Sequence, residues 1–376
     1  MYGLTGGGVP RRNITLANGL IEAGHDVDLA ILEPRGELAT TLDYRISVYP
    51  MNSWLCGLPF VRRKRRRQFA LAQRSLAAYL RRVTPDVLLS ADNYANLAAV
   101  RAREISGWRG TLLLSQRNHT SSYAAQRPAL IAAIRKEYPK ADGVVAVSEG
   151  VAEDLRRLGL PTDLVHTIYN PIVESAFFDA AAQPIDHPWF GGNLPVVLGA
   201  GRIGPQKDFP TLLRAFAQLN GMGVKARLVI LGDGKTARAR GDLQTLAEEL
   251  RIADRVHIAG SVPTALPYIA RADLFVLSSR WEGLPGVLIE ALACGTPVVS
   301  TDCPSGPKEI LMQGEYGPLV PMGDVAALAA AMSQVLRAPP DPAKLKERGS
   351  AFTSEAAVRR YLELIEARSH GTEHGT

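Results

Sequence analysis

Short apolar runs rich in β-branched residues recur through the first half of the chain, at 26–32 (DVDLAIL), 46–50 (ISVYP), 86–90 (DVLLS), 111–115 (TLLLS), 143–148 (GVVAVS) and 166–170 (HTIYN). Between most of them lie amphipathic stretches, at 14–23, 66–82, 94–104 and 125–138. Apolar runs of strand length alternating with helical patterns predict a parallel sheet with crossover helices. The pattern breaks at 171–195, where prolines and glycines cluster without a period, and this reads as a linker, placed at 173–194. A second alternation follows: a strand at 196–201, a helix at 209–220, a strand at 226–232, a helix near 238–250, strands at 255–260 and 274–279, a helix at 286–294 and a strand at 297–301. After APPDP at 338–342 a last helix, near 354–368, is expected to pack back on the first domain, and the SHGTEHGT tail reads as disordered.

The expected fold class is therefore α/β, with two Rossmann-like doubly wound parallel sheets in series, at 1–172 and 195–350. Their carboxyl edges are expected to face a central cleft, where ligands of such sheets bind. The opening of the chain departs from this plan. A doubly wound domain starts on an apolar strand, whereas this sequence starts MYGLTGGGVPRRN and reaches its glycine loop by Gly6. The first strand is short or missing; a misplaced start codon, a truncated chain and a real departure from the plan would each account for it.

The composition, 46% hydrophobic and 21% charged over 376 residues, is that of an ordinary globular protein with room for two domains. Cys56, Cys294 and Cys303 show no C-x-x-C spacing, so neither a disulfide framework nor a zinc site is indicated, and the thiols read as reduced and cytosolic. The net charge is +6, with its densest run at Arg62, Arg63, Lys64, Arg65, Arg66 and Arg67. That run suits an anionic membrane surface, or equally a solvated helix start, since Phe69, Ala72, Leu76, Leu80 and Val83 follow it at helical spacing. Aromatic residues are not interleaved with the charges, which argues against nucleic acid as a partner. With no apolar stretch of 18 residues and no signal peptide, the expectation is a cytoplasmic chain, at most peripheral on the inner face of the cytoplasmic membrane.

Candidate chemistry lies in the second half. Arg202 and Lys207 follow the strand at 196–201 on a glycine-containing loop that leads into a helix. Two cations there suit a doubly charged anion, although a pair of exposed surface cations would have the same spacing. The stretch RWEGLPGVLIE at 280–290 sharpens the choice, because Glu282 and Glu290 stand eight positions apart around a Gly-Leu-Pro-Gly turn. Pro285 suits the first position of a helix, being pre-set in φ and lacking a donor. The amides of Gly286, Val287 and Leu288 are then free at a helix start, which favours phosphate, and Gly286 allows a ligand close to the backbone. Glu290, one turn on and on the same face, would repel phosphate but accept hydrogen bonds from sugar hydroxyls. Glu282 reads either as a group on the far side of the phosphates or as an acid complementing the helix dipole.

With GRIGPQKDF followed by EGLPGVLIEALACGTPVVSTDCPSGPKEIL, the chain resembles glycosyltransferase family 4, retaining nucleotide-sugar enzymes of the GT-B fold, over nearly its whole length. The specific matches are the two glutamates, the Arg–Lys pair, GDG at 232–234, VHIAGSV at 256–262 and PLVPMGD at 318–324. GLTGGGVPRR, SQRNHTS at 115–121, VAVSEGVAEDL at 145–155 and YNPI at 169–172 support them in order. The resemblance implies that Arg202 and Lys207 hold the donor diphosphate without a metal or other cofactor, that Glu290 binds the ribose and that Val262 borders the base. It implies that the backbone at Leu284, Pro285, Gly286 and Val287 meets the diphosphate and sugar, and that Glu282 faces the transferred sugar. Gly7 and Gly8 would approach the phosphate or acceptor, and His119 would contact the sugar near the reaction centre, unless it is a plain polar loop histidine. Two departures are Pro10 before Arg11, where the family often has an acid, and Gly286, where asparagine is common.

The implied reaction moves a hexosyl or N-acetylhexosaminyl group from a nucleotide sugar, a UDP-sugar, to a hydroxyl of a glycan or polyprenyl-linked acceptor in polysaccharide or lipopolysaccharide synthesis, with anomeric configuration kept. Alternatives on the same plan are a nucleotide-sugar epimerase, a phosphorylase, or a non-catalytic relative.

Overall fold

The apolar runs are strands and the amphipathic stretches helices. The computed structural model describes residues 1–5, 7–51, 65–234 and 236–369. They divide into two units: unit 1 is Met1–Pro171 with the chain from Thr353 onward, and unit 2 is Ile172–Phe352.

In unit 1, β1 (Asp28–Ile31) pairs in parallel with β2 (Ser47–Pro50), and a separate parallel sheet runs β3 (Val87–Ala91), β4 (Thr111–Gln116), β5 (Gly143–Ala146), β6 (Val165–Thr167) in that order. Helices α1 (Gly8–Glu22), α2 (Arg65–Val83), α3 (Asn93–Ser106), α4 (Pro128–Glu137) and α5 (Glu149–Arg157) are the crossovers and their neighbours. Local chemistry sets several ends. The Asp92 carboxylate accepts the Tyr94 amide at the start of α3, Ser148 Oγ accepts the Val151 amide at the start of α5, and Gly107 ends α3 in the left-handed region at φ 70. The run of arginines starts α2 at Arg65; Arg62, Arg63 and Lys64 lie outside the described residues. Among those described, no helix is long and apolar enough to cross a membrane.

The first strand, expected to be short or missing, is a stub among the described residues. Met1–Leu4 run beside the end of β1, with Gly3 opposite Glu33 as an isolated parallel bridge. The helix that follows starts at Gly8 rather than near residue 14, since Pro10 in a first turn wastes no hydrogen bond.

Unit 2 is one six-stranded parallel sheet in the order β12-β11-β10-β7-β8-β9. Its strands are β7 (Val196–Ala200), β8 (Arg227–Leu231), β9 (Val256–Gly260), β10 (Leu274–Leu277), β11 (Val298–Thr301) and β12 (Leu319–Val320). The last is too short for its sequence to announce. The chain winds outward from β7 to β9, then returns to the other side of β7 as β10, so the direction of winding switches between β7 and β10. On the faces lie α6 (Phe177–Ala182), α7 (Phe209–Gly221), α8 (Ala237–Glu249), α9 (Gly286–Cys294), α10 (Val325–Arg337) and α11 (Pro342–Gly349). Leu212 and Phe216 of α7 and Leu328 and Met332 of α10 pack with Leu228, Leu274 and Val276 of the sheet, all essentially without exposure.

The segment 173–194 does not stand apart as a linker: the boundary is at Pro171/Ile172, and Val173, Phe177 and Ala181 pack on Leu266 and Ala293 within unit 2. Irregular backbone hides its burial from a periodicity test. The final helix α12 (Ser354–Ser369) belongs to unit 1, where Val358, Tyr361 and Leu364 join Leu16, Leu20, Leu113, Val145 and Ile168 in one core. Replacing Tyr361, 3% exposed, by alanine is expected to destabilise unit 1 by about 3 kcal/mol and leave unit 2 unchanged, read as a lowered denaturant midpoint for the α1 and β4 amides alone in hydrogen exchange.

Candidate functional site

The switch between β7 and β10 brings two loops together at the carboxyl ends of adjacent strands, the place where open α/β sheets bind ligands. The first loop, 201–208, leaves β7 through Gly201 at φ 146; a Cβ there would lie 2.5 Å from Lys207 Cε, so only glycine lets the lysine fold back across the strand end. Asp208 ends the loop in the left-handed region at φ 45, and its carboxylate accepts Thr211 Oγ1 and Arg280 Nε, each at 2.9 Å. The second loop, 278–285, leaves β10 and leads into α9.

A knot of hydrogen bonds ties the loops. The Arg280 amide donates to the Gln206 carbonyl at 2.8 Å, Gln206 Nε2 to the Trp281 carbonyl at 3.0 Å, and Ser278 Oγ to the Lys207 carbonyl at 2.7 Å. At its centre Lys207 Nζ lies 2.7 Å from Glu282 Oε1, with side-chain exposures of 14% and 8%. The same oxygen accepts Ser279 Oγ at 2.7 Å, while Oε2 takes only a 3.3 Å contact from Gln206 and keeps lone pairs for another donor. Thr301 Oγ1 donates to the Ser279 carbonyl at 2.6 Å and carries the knot on to β11.

Beyond the turn, Pro285 is the cap of α9, not its first residue, and the Leu288 amide donates back to the Pro285 carbonyl at 3.0 Å. Of the three amides expected to be free, those of Gly286 and Val287 make no hydrogen bond among the described residues. Leu284 is buried under the turn, and Glu290 is half-buried one turn on. Arg202 is exposed and has no hydrogen bond or ion pair among the described residues. Val262 is half-buried just after β9. Its neighbour Ser261 donates its amide to Asp233 Oδ2 at 2.8 Å, and Arg240, with that amide, holds the Asp233 carboxyl below the usual carboxylate range.

In unit 1, Gly7 caps α1 at φ 135 and Gly8 is its first residue. His119 caps the short helix Thr120–Tyr123: Nδ1 accepts the Ser122 amide at 3.3 Å, which leaves the ring proton on Nε2, 3.6 Å from Asp154 Oδ1. Burial lowers its pKa below the usual histidine value against the pull of Asp154, which favours the neutral ring. Two of the motifs quoted in order meet through one guanidinium: Arg117 of SQRNHTS bonds Asn170 of YNPI through Nη1, and its Nη2 donates at 2.8 Å to Oδ1 of Asn13, the residue after the glycine-loop motif. With amides rather than carboxylates for partners, burial lowers the Arg117 pKa.

Sequence reasoning named Lys207, Glu282 and Arg202 but missed the residues that fix the Lys207–Glu282 pair and its two loops, Gln206, Asp208, Ser278, Ser279 and Arg280. The signal available was a Ser-Ser-Arg run at a strand end and an Asp just before a helix, each common in loops with no such role.

The family described as Glycosyltransferase Family 4 matches residues 6–175, and that described as Glycosyl transferases group 1 matches residues 194–338. The chain is 34% identical over 229 residues to the lipopolysaccharide core biosynthesis glycosyltransferase LpsE of Rhizobium meliloti, covering 60% of this chain and 64% of that protein. It is 29% identical over 233 residues to N-acetylgalactosamine-N,N'-diacetylbacillosaminyl-diphospho-undecaprenol 4-alpha-N-acetylgalactosaminyltransferase of Campylobacter jejuni, covering 61% of each. The match thus spans under two thirds of the length of these relatives. Among solved structures, sucrose-phosphate synthase from Thermosynechococcus elongatus superposes with a TM-score of 0.79 at 22% identity, covering 97% of this chain and 94% of that one. Anabaena Alr3699/HepE in complex with UDP and glucose does so with a TM-score of 0.75 at 18% identity, covering 97% and 98%. At such identities the likeness is one of fold.

Two outcomes follow from the buried pair. Lys207→Ala leaves the Glu282 carboxylate buried without its cation and is expected to destabilise unit 2 by about 3 kcal/mol in denaturant unfolding; adding Glu282→Gln restores part of that, whereas an additive double variant would show the pair to be uncoupled. Burial, then the Glu282 charge, pushes the Cys303 thiol up to about 12, and burial, then the Glu290 charge, does the same to Cys294. Peptide mapping after iodoacetamide treatment at pH 8 is expected to find both unmodified in the folded chain and modified in denaturant.

Proposed function

Because the chain belongs to glycosyltransferase family 4 and has the GT-B fold, we propose that it is a retaining glycosyltransferase that moves a hexosyl or N-acetylhexosaminyl group from a UDP-sugar to a hydroxyl of a glycan or polyprenyl-linked glycan, in lipopolysaccharide or related polysaccharide synthesis. The observation that carries this reading is the company kept at the switch of the unit 2 sheet: a guanidinium at Arg202 and two amides at the start of α9 that have no partner among the described residues, beside a lysine fixed by a buried carboxylate. Together these suit a group that leaves as a nucleoside diphosphate.

In this reading the bond between the anomeric carbon and the β-phosphate oxygen breaks with its electron pair going to that oxygen. The acceptor hydroxyl oxygen bonds the anomeric carbon on the same face, and its proton passes to the departing phosphate. The barrier falls mainly through stabilisation of charge on the leaving oxygens, by Arg202, Lys207 and the amides of Gly286 and Val287, with no metal ion required. Pairing with Glu282 costs Lys207 little mobility on donor binding, because the ammonium is already held in place. Glu282 Oε2 accepts a hydroxyl of the transferred sugar, Glu290 takes the ribose, Val262 borders the base, and Gly7, Gly8 and His119 keep the roles the resemblance gives them.

Support for the donor comes from Alr3699/HepE, solved with UDP and glucose, and for the acceptor class from relatives named for lipopolysaccharide core synthesis and for an undecaprenol-linked sugar. The basic residues 62–67 would hold the chain on anionic lipid next to such an acceptor.

Arg202 separates function from stability, since it is exposed and has no hydrogen bond or ion pair among the described residues. Arg202→Ala is expected to leave the melting temperature unchanged and to lower acceptor-dependent UDP release by about 100-fold, measured with a panel of UDP-, GDP- and ADP-sugars and membrane-extracted acceptors. Near-normal turnover would overturn the assignment of the diphosphate to this loop.

A further inference from the structure

The sheet of unit 1 is divided. Among the described residues β1 pairs only with β2, and β3 only with β4. A cavity of about 740 Å³ is lined by both facing edges, by Leu29 and Ala30 of β1 and Leu88 and Leu89 of β3, with Leu20 of α1 and Leu76 of α2 among its other walls. Protein interiors rarely keep voids larger than a water molecule, so an apolar space of this size lacks a component. Its effect shows in β3: all five residues are half-buried, whereas every residue of β4 beside it is buried.

The backbone says what kind of component. Ser47 donates its amide to the Val27 carbonyl and Met51 to the Ile31 carbonyl, so alternation turns the N–H and C=O groups of Asp28 and Ala30 toward the cavity. On the other edge the Thr111 amide donates to the Asp86 carbonyl, which turns Val87, Leu89 and Ala91 toward the cavity. Two rows of ladder groups thus border the same largely apolar space. A strand residue occupies roughly 3.3 Å along the chain, 4.8 Å across the sheet and 10 Å through it, roughly 160 Å³, so the space suits about five residues.

The chain already starts this ladder at the mouth. The Met1 nitrogen donates to the Ala30 carbonyl at 2.5 Å and the Leu32 amide to the Met1 carbonyl at 3.2 Å, which puts Met1 opposite Ile31 in parallel register. The terminal ammonium is buried there, and desolvation, opposed by Asp92, lowers its pKa to about 6. A peptide N–H in the same place would make the same bond without a charge.

We infer that the cavity is the seat of the central strand of unit 1, an apolar extended segment of about five residues in the polypeptide directly upstream of Met1, parallel to β1 and β3. Its insertion joins the two sheets in the order β2-β1-new strand-β3-β4-β5-β6. The new strand, α1 and β1 then form a crossover unit of the usual right-handed kind, and the glycine loop at Gly7 and Gly8 stands at the carboxyl end of a central strand. Helices on both faces require side chains that are apolar in both directions, β-branched by preference.

The test compares the chain starting at Met1 with one carrying a valine–isoleucine pentapeptide joined to Met1, and with a control in which two alternate residues of that segment are proline. Amide exchange at Ala30, Leu89 and Ala91 is expected to slow at least 100-fold in the apolar extension and to stay fast in the proline control. Unchanged exchange in the apolar extension overturns the inference, as does a chain from Met1 that already protects these amides, whether as a monomer or, by sedimentation, as a dimer that inserts a strand from a second copy. Intact mass of the protein from its own cells supplies the independent check: a mature chain with apolar residues before Met1 supports the strand, and one starting at Met1 overturns it.

Discussion

The pairing of Lys207 with Glu282 is the constraint on which the rest of unit 2's candidate site depends. Taking both charges out of water costs about as much as their attraction returns, so the pair contributes little to stability against a well-packed apolar substitute. What it supplies is position. Ser279 and Gln206 occupy the carboxylate, Ser278 holds the lysine carbonyl, and the Arg280–Asp208 pair closes the far side. Two loops that belong to different strands are thereby fixed against each other before any ligand arrives, which is the condition for charge stabilisation without reorganisation. The contrast with Arg202 is informative: one cation is held rigidly and half-neutralised, the other is left in solvent with its full charge.

Much of this was legible in the sequence where local chemistry is strong. The helix expected at 286–294 is found there and ends on Gly295 in the left-handed cap at φ 79, although Pro285, read as suiting its first position, stands one place earlier as the cap. The pair at its centre was not legible. Lys207 and Glu282 are 75 positions apart, and nothing local says that β10 returns to the side of β7; that follows from sheet order. Glu282 could be read as a helix-dipole acid, and only the structure shows it committed to a lysine. The count of free amides was one too high, since the Leu288 amide folds back in a tighter turn that spacing does not reveal.

At the other end of the chain the errors have a different cause. The start of α1 was placed late because Gly8, Val9, Pro10, Arg11 and Arg12 have no apolar period, although glycine and proline are both acceptable in a first turn. The segment 173–194 was read as linker because packing by Phe177 and Ala181 needs only one short helical turn and irregular chain around it. By contrast the brevity of the strand at Met1–Leu4 was visible at once, because an apolar run is a strong signal and MYGL is too short to give one. Arg117 shows a middle case: it and Asn170 lie in stretches singled out for their order along the chain, but that they bond each other, and that Asn13 shares the guanidinium, is a fact of folding.

The helix at 354–369 places a time order on the molecule. Unit 2 is continuous in sequence, so every residue of its core has left the ribosome once Phe352 emerges. Unit 1 is not: its first 171 residues must wait for Val358, Tyr361 and Leu364, roughly 10–40 s later at ordinary rates of synthesis. During that interval Leu16, Leu20 and Ile168 have no cover on one side. The half of the protein made first is the half completed last, and its exposed face is what a nascent-chain chaperone would meet.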